Sequence, residues 1–199
     1  MDDLLSYIKT TYKEGEPILL KDLKTLDLSY DNLRQKLKKL TDSKLIERAT
    51  DGIYYYGDKP TVEEITLKRF ISRNNKIFGY YTKNSLLSKL GFNVKADRFE
   101  IITNEFGAIV RDIDVLGEKV RVRRSKVEIN NTNFHVLELL DIIRDLDEYN
   151  IEQKRIDDVL KSFVNQYKIT KDSIDKYICF YPYVTFRNYY KYNIENILN

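Results

Sequence analysis

The chain has 199 residues, 42% hydrophobic and 33% charged, the balance of one or two folded domains and not of a disordered or fibrous chain. Its 34 Lys and Arg residues face 31 Asp and Glu, a net charge of +3, too small an excess for a protein that coats nucleic acid without selectivity. No apolar run approaches the roughly 20 residues of a membrane-spanning helix, the acidic start Met1-Asp2-Asp3-Leu4-Leu5 is unlike a basic secretory signal, and a single cysteine, Cys179, excludes an internal disulfide or a multi-cysteine zinc site.

These features predict a soluble, reduced, cytoplasmic protein with no cofactor and with Cys179 buried among Tyr177–Tyr181. Charge is unevenly spread: residues 1–59 hold 11 basic and 11 acidic side chains, residues 60–128 hold 14 and 9, and residues 129–199 hold 9 and 11.

In the first segment Leu4, Leu5, Ile8 and Tyr12 recur at helical spacing until Gly15 and Pro17 stop the run. Leu19, Leu20, Leu23 and Leu26 suggest a short second helix. Ser29 then precedes Leu33, Leu37 and Leu40, a single apolar stripe on a third helix, and its hydroxyl can accept a bond from the helix's free N–H groups. The period changes at Leu45–Ala49 and Ile53–Tyr56, which flank Asp51-Gly52, a strong hairpin signal because Gly tolerates the positive φ of a tight turn. Three short helices and a β-hairpin predict a winged helix-turn-helix over residues 1–59.

Opposite the leucine stripe, Arg34, Gln35, Lys38 and Lys39 lie about 100–240° from Leu33 on the helical wheel. Arg and Gln suit guanine and adenine edges, and Lys suits phosphates. From Arg34 to Arg48 six basic residues meet two acidic ones, and Arg48, Thr50 and Tyr54 on the hairpin are placed to reach a backbone or the minor groove. Asp31, on the same helical face, opposes this reading, and a solvated face remains the alternative.

Pro60 opens an α/β domain over residues 60–199, strand-rich at 77–129 and helical at 132–199, making the whole α+β. A connecting helix carries Val62, Ile65, Phe70 and Ile71. Ile77–Tyr81 reads as a strand and Lys83–Leu90 as a helix capped by Thr82 and closed by Gly91. Phe99–Thr103, Ile109–Val115 and Lys119–Ile129 read as strands, the last two joined at Gly117. Alternation of Val120, Val122 and Val127 with Arg121, Arg123 and Lys126, with Arg124 out of phase, makes one face strongly basic: a nucleic-acid or acidic-partner surface, or a face kept soluble by charge. A long helix then sets Phe134, Leu137, Leu140 and Leu146 against an acidic side of Glu138, Asp141, Asp145, Asp147 and Glu148. Two more helices carry Ile156–Phe163 and Ile174–Ile178, and the Tyr-rich tail offers Val184, Phe186, Ile194 and Ile197 as its core side.

No catalytic constellation emerges. His135 sits between Phe134 and Val136 and is expected to pack, and no Gly-rich phosphate loop is present. Asp112 and Asp114 share a strand face as Mg²⁺ ligands would, but Asn104–Ala108 upstream lacks the Gly-Ser turn of nucleotidyltransferases. A solvent-facing hairpin is expected, with a metal-dependent nucleic-acid enzyme as the alternative.

The run Ser29-Tyr-Asp-Asn-Leu-Arg-Gln-Lys-Leu-Lys-Lys-Leu40, with Lys44-Leu-Ile-Glu-Arg48 and Gly52-Ile-Tyr-Tyr-Tyr56, resembles the N-terminal winged helix of AbiEi-type antitoxins of type IV toxin–antitoxin systems, which are linked to abortive infection. Leu86–Phe92 and Ile102-Thr103-Asn104 extend the resemblance to about residues 3–148. It implies repression of the chain's own operon at inverted repeats in promoter DNA, with Tyr30, Asn32, Arg34, Gln35, Lys38, Lys39 and Arg48 at the duplex; the balanced charge of residues 1–59 makes cooperative binding by two copies, a dimer on the DNA, more necessary. It also implies that the second domain counteracts a nucleotidyltransferase toxin, with or without a stable complex. A winged-helix transcription factor whose second domain senses a ligand or dimerises fits the same pattern.

Overall fold

A computed structural model of the protein describes residues 2–25, 28–149 and 152–198. The chain is mixed α+β and divides into two compact units, Met1–Arg69 with Ile113–Lys119, and Phe70–Asp112 with Val120–Asn199. The first unit thus extends beyond the expected limit at residue 59 and gains a segment distant in sequence. Among the described residues no helix is long and apolar enough to cross a membrane.

In the first unit α1 (Asp2–Thr11), β1 (Ile18–Leu19), a 3₁₀ turn (Asp22–Thr25), α2 (Tyr30–Asp42), β2 (Glu47–Thr50) and β3 (Ile53–Tyr55) follow in order. The three strands form a sheet of order β1-β3-β2. Leu19, expected in a second helix, lies in β1, where it pairs with Ile53, and only the 3₁₀ turn follows; Leu26 lies outside the described residues. The Ser29 side chain accepts the Asn32 N–H and so starts α2. Leu33, Leu37 and Leu40 are each fully buried and pack with Leu4, Ile8, Ile18, Leu23 and Ile46. Burying such a side chain contributes about 1.5–3 kcal/mol, so the stripe fixes which face of α2 looks outward. The β2–β3 hairpin turns at Gly52, φ +71°, and a bulge between Arg48 and Thr50 shifts the register there. Within this unit the Leu116 N–H donates to the Ala49 carbonyl.

Helix α3 (Val62–Thr66) begins in a capping box between Thr61 and Glu64 and continues as a π-helical turn, Leu67–Ile71. In the second unit the expected strand over 77–81 is broken: β4 (Ser72–Arg73) pairs with β5 (Lys76–Ile77), and β6 (Gly79–Tyr81) joins another sheet. Gly79 is required there, since a Cβ would stand 2.0 Å from the Phe70 carbonyl oxygen. After α4 (Lys83–Lys89) come β7 (Phe99–Thr103), β8 (Val110–Val115) and β9 (Glu118–Arg124), giving the order β6-β7-β9-β8. The β8–β9 turn places Leu116 and Gly117 at φ +54° and +91°. β9 ends at Arg124, short of the expected Ile129, because Ser125 turns the chain, its hydroxyl donating to the Val127 carbonyl at 2.5 Å.

Helices α5 (Phe134–Asp145), α6 (Gln153–Tyr167), α7 (Lys171–Ile178) and α8 (Tyr183–Lys191) complete the chain, with 3₁₀ turns at Leu146–Glu148 and Ile194–Ile197. His135 packs as expected, stacked on Tyr167 with centroids 3.3 Å apart and bonded to Glu138. Of the expected core side of the tail, Ile194 is buried and Ile197 half-buried, but Val184 and Phe186 are not buried, and Cys179 departs from expectation as well. Helix α8 buries Thr185, Asn188 and Tyr189, leaving Val184 and Phe186 half-exposed, because the Asn188 amide donates to the Ile143 and Arg144 carbonyls at the end of α5. Cys179 is exposed, since it ends α7 after Ile174 and Ile178 have taken the buried positions.

Candidate nucleic-acid interface

The buried leucine stripe turns the polar side of α2 outward, and Tyr30, Asp31, Asn32, Arg34, Gln35, Lys38 and Lys39 are all exposed. Between α2 and the β2–β3 hairpin runs an open groove of about 950 Å³, and Tyr30, Arg34, Gln35, Lys38, Arg48 and Tyr54 all line it. The structure therefore brings together six of the nine side chains singled out in this region. The Arg34 guanidinium lies 5.6 Å from the centre of the Tyr30 ring, a cation–π contact that holds the long side chain over the groove.

The remaining three lie elsewhere. Asn32 and Lys39 are exposed on α2 but do not line the groove. Thr50 is half-buried and its hydroxyl donates to the Asp114 carbonyl at 2.7 Å, so it braces the hairpin and offers no hydroxyl proton to a ligand. Arg48 forms an ion pair with Asp51, and the Asp51 carbonyl in turn accepts from Arg69 at 3.0 Å. Asp31, Asp42 and Asp51 line the groove beside Arg34, Lys38 and Arg48, so its formal charge cancels. Such a groove attracts phosphate weakly by charge alone; selectivity must come from oriented donors such as Arg34 and Gln35. Asp42 and Asp51 were not anticipated here, although the Asp-Gly turn already carried one of them.

The basic face expected on β9 is largely neutralised. Parallel pairing sets Glu100 beside Arg121 and Ile102 beside Arg123. Arg121 lies 3.8 Å from Asp112, Arg123 lies 3.8 Å from Glu100, and Arg98 reaches both carboxylates at 3.5 and 3.6 Å. Arg124 and Lys126 are exposed and have no carboxylate partner among the described residues. Asp112 is thus held by arginines, while Asp114 accepts the Gly117 N–H and faces Lys119 at 3.5 Å. Among the described residues no group of three His, Cys, Asp or Glu side chains could hold a metal ion.

Sequence reasoning missed one cluster in the second unit. The acidic side of α5 points inward, leaving Asp141 and Asp145 1% and 2% exposed. Arg144 bonds Asp141 and grips Asp145 with two nitrogens at 2.6 and 2.7 Å. Lys83 reaches Asp145 at 2.8 Å and Glu148 at 2.7 Å. The Tyr80 hydroxyl donates to Asp141 at 2.7 Å, and that of Tyr181 donates to the Leu137 carbonyl at 3.0 Å. Burial pushes the Asp141 carboxyl up to about 6, against the pull of Arg144 and Tyr80; burial and the same carboxylate also raise the Tyr80 phenol, which stays protonated as a donor. These groups line a cavity of about 620 Å³. The signal available in sequence was Arg144, three residues after Asp141 on an otherwise acidic helix side.

No protein-family model matches the chain, and no curated protein matches it.

Proposed function

We propose that this protein is a DNA-binding autorepressor of the antitoxin type. In this reading the first unit is a winged helix-turn-helix, with α2 as the recognition helix and β2–β3 as the wing. The observation that carries it is the open groove where Tyr30, Arg34, Gln35, Lys38, Arg48 and Tyr54 converge in front of a fully buried leucine stripe. The order of elements and the β1-β3-β2 sheet support the same reading. A recognition helix presents its N-terminal residues to base edges in the major groove, and Tyr30, Arg34 and Gln35 occupy the N-terminal half of α2.

The cancelled charge of the groove assigns specificity to Arg34 and Gln35 and makes one copy a weak binder. Two copies on inverted repeats offset that weakness through effective concentration. The second unit would act against a nucleotidyltransferase toxin, an assignment that rests on the resemblance of residues 3–148 to AbiEi-type antitoxins. A role as a metal-dependent enzyme is disfavoured because Arg98 and Arg121 hold Asp112.

Fluorescence anisotropy with a duplex from upstream of the chain's own gene tests the DNA-binding reading. Arg34→Ala should cost about 1–3 kcal/mol on that sequence and little on scrambled DNA, whereas Lys38→Ala should weaken both and lower the salt slope by about one. If neither change affects binding, α2 is not the reading element.

A further inference from the structure

We propose that the second unit binds a small amphiphilic anion, an apolar body bearing one singly charged oxyanion head, in the cavity between the β6–β7–β9 face, α5 and the α7–α8 turn. Its volume of about 620 Å³ falls within the range of small-molecule sites, roughly 300–1,000 Å³. Apolar side chains such as Ile102, Val127 and Leu137 line it. Around it Ile109, Val110 and Phe180 are 85%, 41% and 50% exposed, apolar surface that a bound ligand body would cover.

Charge sets the sign of the head group. Every carboxylate that lines the cavity already has a cation within the chain: Asp141 and Asp145 have Arg144, Glu148 has Lys83, and Asp147 has Lys191. Arg124 and Lys126 line the same space and have no carboxylate partner among the described residues. Arg123, also on the lining, is paired with Glu100 at 3.8 Å. Two unpaired cations beside apolar walls select an anion over a neutral or cationic guest of the same shape.

The test uses the full chain without DNA and two matched fluorescent probes, the anion 8-anilinonaphthalene-1-sulfonate and its neutral relative N-phenyl-1-naphthylamine. Saturable one-site binding of the sulfonate is expected. The double variant Arg124→Ala/Lys126→Ala, which alters only exposed side chains, should weaken it by about tenfold and leave the neutral probe unchanged. Val184→Trp, which fills the cavity from α8, should reduce both, with circular dichroism showing that the fold is kept. Arg34→Ala, on the other unit, should bind the sulfonate like the parent, so failure here and failure of DNA binding remain separable. Unsaturable sulfonate binding, or an equal effect of the double variant on both probes, would overturn the proposal.

Discussion

Replacing Tyr80 by Phe keeps the ring and removes a hydroxyl that bonds Asp141 and also lies 3.4 Å from the Tyr181 hydroxyl. Both phenols stay protonated, so the difference between two pH values isolates the bond to Asp141. Tyr80 is 2% exposed and Asp141 1% exposed, with 2.7 Å between hydroxyl and carboxylate. A hydrogen bond to a charged group contributes about 1.5–3 kcal/mol, and one to a neutral group about 0.5–1.5 kcal/mol. The carboxyl holds its proton up to about 6 in the folded chain against 3.8 as its ordinary value. The folded state therefore binds more protons than the unfolded state in that window. The stabilisation from the held proton is complete below 3.8 and is lost as pH rises through about 6. At pH 8 the lost bond is to a carboxylate, and at pH 5 it is mostly to a neutral acid. The variant should be destabilised by about 2–3 kcal/mol at pH 8 and about 1 kcal/mol at pH 5. Urea unfolding followed by circular dichroism at both pH values measures this. Equal destabilisation at the two, or a larger loss at pH 5, would refute the account of Asp141.

Two further changes probe the frame that presents the groove and the cavity. Leu37→Ala leaves a hole in a fully buried stripe and should cost about 2–5 kcal/mol, read as a lower urea midpoint and weaker DNA binding together. Gly79→Ala sets a Cβ 2.0 Å from one backbone carbonyl oxygen and 2.8 Å from another. Because backbone cannot swing aside as a side chain can, the cost should reach about 3 kcal/mol or more, the upper end for overpacking, seen as loss of soluble protein or a markedly lower melting temperature.

What could be read in advance was whatever local periodicity or turn chemistry decides. The spacing of Leu33, Leu37 and Leu40 gave the outward face of α2, and Asp51-Gly52 gave the hairpin, because each depends on neighbours a few residues away. The groove residues followed from those two elements. What escaped depends on partners far along the chain. Asp141 and Asp145 looked solvated until Tyr80 and Lys83, some sixty residues earlier, are seen to satisfy them. Arg121 and Arg123 looked like a bare basic face because the parallel register that sets Glu100 beside Arg121 has no local signature. Asn188 is buried for the same kind of reason: it serves two carbonyls of α5, whereas an apolar pattern would have chosen Val184 and Phe186. Thr50, expected at a duplex, donates its hydroxyl to the Asp114 carbonyl, a partner 64 residues along the chain.

The most direct measurement is the affinity of the unmodified chain for a duplex from upstream of its own gene and for a scrambled duplex, across a range of salt concentrations. If α2 and the β2–β3 hairpin engage DNA, log affinity falls linearly with log salt on both duplexes. The upstream sequence is then preferred by about 10³-fold or more. Affinities that ignore salt, or that are equal for the two sequences, would contradict the account.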